Sequence, residues 1–218
     1  MRGWMARNAL SLVLFGAFLL FVVLQSVFGW QADNQELTEH GQATRGYLSY
    51  LASGEFVEAT FENWESEFLQ MAAYVVLTAL LVQRGSPESR APHDPGSEVG
   101  RAVTPDSPAV VRRHRRGAVR RLYDNSLSLA LFGLFLLSFV LHLLGGTAAY
   151  NDRQALHGQP PISPLHFLLS SDFWFQSMQN WQSEFLAVGT LVVLSIFLRQ
   201  RGSSQSKEVS APNSETGD

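Results

Sequence analysis

Four polar side chains carry the chemistry this sequence could do inside an otherwise apolar setting. Asn63 and Glu67 lie one helical turn apart, and Asn180 and Glu184 repeat that spacing 117 residues later. Gln70 and Tyr74 continue the first row at i+7 and i+11, where the second row has Ala187 and Leu191. Two carboxylates brought together in a medium of low dielectric would share a proton or hold a cation. The same residues read structurally would complement the positive end of a helix or hydrogen-bond between helices. Loss of Gln70 and Tyr74 from the second row argues against an extended polar path through both halves.

Other chemistries find little support. The chain has no Cys, which excludes disulfides, thiolate metal sites and cysteine catalysis. His40 and His157 each precede Gly-Gln, a pattern for a turn, and no run of residues has metal-ligand spacing. His142 is a lone histidine in an apolar segment, expected in an interhelical hydrogen bond. No nucleophile elbow, zinc-protease motif or phosphate-binding glycine loop occurs, so neither an enzyme nor a bound cofactor or metal is expected.

The elements that must position these residues are apolar helices. Charged residues make up only 16% of the 218, against about 25% in a typical soluble domain. Residues 9–28 and 125–145 carry no charge, and at ~1.5 Å per residue each is long enough for the ~30 Å hydrocarbon core. Residues 68–82 and 185–198 are shorter, but reach about 20 residues when extended back to Trp64 and Trp181, aromatics suited to the interface. Four membrane helices are therefore expected. The first is longer than a leader-peptide core and recurs internally, so it reads as a span.

The recurrence is extensive. Aligning residue i with i+117, without a gap from 8 to 86, gives 36 identities in 79 positions. Asn-x-Leu-Ser-Leu, His-Gly-Gln, Asn-Trp-x-Ser-Glu-Phe-Leu and Gln-Arg-Gly-Ser all fall in register, which points to a tandem duplication. Each copy holds two helices and so returns to its starting side. The copies are parallel, and the expected fold class is an all-α membrane four-helix bundle made of two tandem two-helix repeats. Gly16 and Gly133 are expected at close helix contacts.

Domain boundaries follow. Residues 1–86 form the first repeat and 119–203 the second. A Pro- and Arg-rich linker, 87–118, and a polar tail, 204–218, are expected to be disordered. Of the 16 basic residues 14 lie before, between or after the repeats, which places both termini and the linker in the cytoplasm of a plasma membrane. Arg112, Arg113, Arg115, Arg116, Arg120 and Arg121 stand directly before the third span. They determine topology and suit contact with anionic lipid headgroups at ~1 kcal/mol each. Beside a membrane anchor, and with a net charge of −3, nucleic acid is not an expected partner.

The two loops on the other side lead into helices. Ser53-Gly54-Glu55 and Ser170-Ser171-Asp172 read as helix starts. Apolar stripes then run through Val57, Phe61, Trp64 and Phe68, and through Trp174, Met178, Trp181 and Phe185, without a break. One long helix per copy is expected, about 55–83 and 172–200, or an interfacial helix kinked near Asn63 and Asn180.

The sequence resembles a bacterial, actinobacterial-type family of uncharacterised integral membrane proteins, defined only as a domain of unknown function. Asn8, Leu10, Ser11, Leu12, His40, Gly41, Gln42, residues 62–70 and residues 83–86 carry that resemblance. The second unit departs from it with Gln179, Gln182 and Ala187. It implies a membrane location and no known chemistry. The leading expectation is a non-enzymatic structural or interaction module of the cell envelope, partnered by the bilayer and by another membrane protein or a second copy. The alternative is a small transporter or cation- or proton-handling protein using Glu67 and Glu184.

Overall fold

A computed structural model describes residues 2–89 and 117–217. Among these the architecture is an all-α helical bundle, with about 73% of residues helical and no strand. The helices are α1 (Arg2–Arg7), α2 (Ala9–Glu39), α3 (Tyr47–Leu51), α4 (Gly54–Leu80), α5 (Ala118–Asp124), α6 (Ser126–Leu156), α7 (Pro164–Leu168) and α8 (Ser171–Phe197). The chain divides into two compact units, Met1–Phe61 with Val140–Trp174, and Glu62–Phe139 with Phe175–Asp218.

Three helices, α2, α6 and α8, are long and apolar enough to cross a membrane. The fourth expected span, α4, equals α8 in length at 27 residues but is more polar. Gln70 and Tyr74 stand in its apolar run where α8 has Ala187 and Leu191. Both α4 and α8 begin where the serines place them. Ser53 Oγ accepts from the Phe56 amide at 3.4 Å and Ser170 Oγ from the Phe173 amide at 3.3 Å, satisfying donors that a helix start leaves free.

Local geometry recurs at the 117-residue offset. Gly41 and Gly158 both adopt φ +69°, and the amides of Gln42 and Gln159 bond back to Leu37 and Gln154 carbonyls at 2.8 and 2.9 Å. His-Gly-Gln is thus a helix-terminating cap whose glycine takes the left-handed conformation. Asn34 donates to the Arg45 carbonyl and Asn151 to the Ile162 carbonyl, both at 3.0 Å. Each clamps the chain 11 residues ahead, returning its amide hydrogen bond through Oδ1. At the other end, Gln83 and Gln200 amides donate to Ser89 and Ser206 hydroxyls at 2.8 and 2.9 Å. This turn carries the correspondence three residues beyond Gln-Arg-Gly-Ser.

Two expectations are corrected. Nothing lies within 4 Å of where a Cβ would stand on Gly16 or Gly133, so neither is a close-contact site. Close approach falls at other glycines: within the first unit Gly145 abuts Val57 and the Glu58 backbone and Gly146 abuts Phe167, and within the second Gly85 abuts the Asn213 carbonyl. The polar tail is also not free chain. Lys207 Nζ donates to the carbonyls of Pro212, Asn213 and Glu215 at 3.1–3.2 Å. The Gly217 amide donates to the Ser86 carbonyl at 3.0 Å, and the Gly85 amide to Thr216 Oγ1 at 2.7 Å. A buried ammonium surrounded by carbonyls holds these turns in place. Residues 90–116 of the linker lie outside the described residues.

Candidate functional site

The first unit gathers ionic groups at the end that carries the loops after α2 and α6. Arg153, near the C-terminus of α6, donates to both carboxyl oxygens of Glu55 at 3.2 Å and to Glu58 at 3.2 and 3.4 Å. Glu58 is buried, and this guanidinium meets its carboxylate there. Arg45 pairs with Asp152 at 3.2 Å and approaches Asp33 at 3.7 Å. Around these side chains lies a cavity of about 500 Å³, lined by Asp33, Glu36, Arg45, Glu55, Asp152 and Arg153 among others.

Glu55 stands outside the apolar run of α4, and its carboxyl is pushed up to about 7. Burial is the main cause. Arg153 opposes it, while Glu58, Glu36 and Asp33 add to it. Asp33 is raised in the same direction, again mainly by burial, with Arg45 opposing.

His40 and His157, from the two caps, meet edge to face with ring centroids 5.6 Å apart. Their Nδ1 atoms lie 2.9 Å from the carbonyls of Glu36 and Arg153, which ties each ring to its own helix end. Among the described residues no group of three or more His, Asp or Glu side chains is placed to hold a metal ion. His142 is fully buried and stacks on Phe173 at 4.8 Å.

The second unit places the four polar residues singled out from the sequence. Asn180 does not pair with its counterpart; its Nδ2 donates to Glu62 Oε1 at 2.6 Å. Asn63 and Glu67 are exposed, and Glu184 is half-buried. The Glu67 carboxylate lies within the electrostatic reach of Glu184, and neither residue lines the cavity described above. The acid that is buried here is Glu65, which accepts from Ser177 Oγ at 3.3 Å and Trp181 Nε1 at 3.2 Å. Arg112, Arg113, Arg115 and Arg116 lie outside the described residues, while Arg120 and Arg121 are exposed on α5.

Glu58, Glu62 and Glu65 were legible as a row at i, i+4 and i+7 of one helix. Its second-copy counterparts, Phe175, Gln179 and Gln182, are not acidic, so the repeat does not mark it.

Helices of membrane-crossing length and an interior stocked with paired acids define an all-α membrane protein of unknown activity. A family model described as a domain of unknown function, DUF6766, matches residues 1–218. The chain belongs to that family. No curated protein and no solved structure matches it.

Proposed function

We propose that this chain is a multi-pass plasma-membrane protein that acts as a non-enzymatic interaction module of the envelope. It arose by tandem duplication of a two-helix unit. Both termini face the cytoplasm, the loop end faces out, and Arg120 and Arg121 contact anionic headgroups. The recurrence of caps, Asn clamps and Gln-to-Ser turns at one fixed offset supports the duplication.

The observation that carries the functional reading is a pair of displayed leucines. Leu48 on α3 and Leu165 on α7 occupy equivalent positions and are 79% and 67% exposed. Each sits on a short helix fixed by an Asn clamp, so apolar surface is held outward on a rigid base. Photo-crosslinking residues placed at 48 and 165 test this in intact membranes. Both positions should capture the same protein species, this chain or another, and Leu48→Glu with Leu165→Glu should abolish it. Crosslinks to lipid alone would end the reading. Because the chain lacks Cys, a single Cys at position 40 also reports orientation; its labelling from the cytoplasmic side would overturn the topology.

The proximity of Glu67 to Glu184 favours a second reading, cation or proton handling. Liposome flux comparing the native chain with Glu67→Gln/Glu184→Gln tests it, and flux at the empty-liposome level in both sinks it.

A further inference from the structure

We propose that the turn formed by residues 200–206 is a peptide seat, and that its occupant is the Pro-x-Ser-Glu-x-Gly segment at 95–100 of the same chain. The equivalent turn of the first copy, 83–89, is already filled, and the C-terminal tail fills it. The Gly217 amide donates to the Ser86 carbonyl at 3.0 Å, and Thr216 Oγ1 accepts from the Gly85 amide at 2.7 Å. The Asn213 carbonyl comes so near that a Cβ on Gly85 would stand 2.6 Å from its oxygen. Gly85 and Ser86 are both buried.

The two turns are built alike. Gly85 and Gly202 both take the left-handed conformation, at φ +87° and +81°. The Ser86 and Ser203 amides donate to the Gln83 and Gln200 carbonyls, both at 3.1 Å. The same two serine hydroxyls accept from the amides two residues on, Glu88 at 3.2 Å and Gln205 at 3.1 Å. Together with the Gln-to-Ser bond that closes each turn, these bonds make the second turn a preformed copy of the first. Yet the second turn is bare. Among the described residues nothing lies within 4 Å of a Cβ placed on Gly202, and none bonds the Gly202 amide or the Ser203 carbonyl. Gly202 is exposed and Ser203 partly so.

The occupant follows from the 117-residue offset, which runs on past the turns. Pro95, Ser97, Glu98 and Gly100 fall on Pro212, Ser214, Glu215 and Gly217, the segment seated on the first turn. Gly217 has φ +72°, a conformation that favours glycine, and its counterpart is again glycine. Lys207, whose ammonium gathers the carbonyls of Pro212 and Glu215, has the cationic Arg90 as its counterpart. Reach is matched as well. The tail passes from the second turn to the first in the 11 residues from Ser206 to Gly217, and 11 residues also separate Ser89 from Gly100. Such a length spans at most about 35–40 Å. The exchange is then reciprocal: the segment after each turn is seated on the other turn. One bond differs. Val99 stands where Thr216 supplies its hydroxyl, so the bond retained is that from the Gly100 amide to the Ser203 carbonyl.

The test uses the full chain in phosphatidylcholine nanodiscs. In the native chain, residue-resolved hydrogen exchange should show the Gly100 amide at least ten-fold slower than a free peptide, with Gly217 as the internal reference. Val99→Thr restores the missing hydroxyl and should slow the Gly202 amide several-fold. Because the chain lacks Cys, disulfide trapping gives a second readout at exposed positions. Arg84→Cys with Thr216→Cys reports the filled seat. Arg201→Cys with Val99→Cys should close within one chain at no less than a fifth of that rate, and Gly100→Pro should slow it at least five-fold. An off-register pair, Arg201→Cys with Val103→Cys, should lag behind. Free-peptide exchange at Gly100, or trapping at 99 no faster than at 103, would overturn the proposal. So would disulfides formed only between chains, which would make a second copy the occupant, or faster trapping of Arg201→Cys by Thr216→Cys, which would make it the tail.

Discussion

Replacing Glu55 by Gln should flatten the pH dependence of stability. Glu55 has an ordinary value of 4.5 and is held near 7 in the folded chain, chiefly by burial. Between those values the folded state keeps a proton that the unfolded state has released. Stability therefore falls as pH rises through that window and levels off above about 7. The full displacement corresponds to about 3 kcal/mol at 1.36 kcal/mol per unit. Over the practical range from pH 5 to pH 8, integration of the two titrations leaves roughly 2.5 kcal/mol. At roughly 2–4 °C per kcal/mol for a chain of this size, the native Tm should drop by about 5–10 °C between pH 5 and pH 8. Gln keeps the shape and one acceptor for Arg153, but does not titrate. In Glu55→Gln the drop should shrink to the part that other groups contribute. Differential scanning fluorimetry in nanodiscs, in amine-free phosphate and acetate buffers, measures it. A variant whose Tm falls between pH 5 and pH 8 as steeply as the native chain would refute the assignment. So would a native Tm that rises across the same range.

Three further outcomes follow from the packing. Arg153→Met should destabilise the fold by about 3–5 kcal/mol, because it removes the guanidinium that pairs with the buried Glu58 and with Glu55. Adding Glu55→Gln and Glu58→Gln to that variant should recover most of the loss in the same melting assay. Gly145→Val should cost about 1–3 kcal/mol, since the new side chain meets Val57 and the Glu58 backbone, while Gly133→Ala should cost nothing measurable. Lys207→Ala should release the tail, and cleavage at Glu208 and Glu215 by a Glu-specific protease, followed by mass spectrometry, should be several-fold faster than in the native chain.

The helices were legible because their signals are local. An uncharged run of about 20 residues, a serine before an acidic first turn and a His-Gly-Gln cap each act within a few residues. Partners across the chain were not legible. Nothing near Glu58 in sequence announces Arg153, 95 residues away, and nothing near Lys207 shows that the carbonyls after it will curl back upon it. Gly16 and Gly133 misled because identity at equivalent positions shows only that a residue is kept, whereas close approach depends on what faces it. On the polar face, the exposed row of Asn63 and Glu67 is legible because both copies share it.

The buried row behaves in the opposite way, and this bears on how a duplicated membrane unit becomes one protein. Glu58, Glu62 and Glu65 belong to the first copy alone. Their partners Arg153, Asn180, Ser177 and Trp181 all belong to the second. At the equivalent places the second copy has Phe175, Gln179 and Gln182, while Glu36 occupies the position of Arg153. Two identical copies of the first would have set Glu36 where this chain sets Arg153 against Glu58, while the donors Asn180 and Trp181 stand in both copies, as Asn63 and Trp64 in the first. On the proposed duplication, it is the acids, and the arginine that meets one of them, that differ between the copies. In an apolar medium an unpaired carboxylate is expensive, so such a set binds one half to its complement and disfavours a pairing of like halves. The acids and Arg153, which differ between the copies, therefore specify the assembly, using Asn180 and Trp181, which both copies share, as donors.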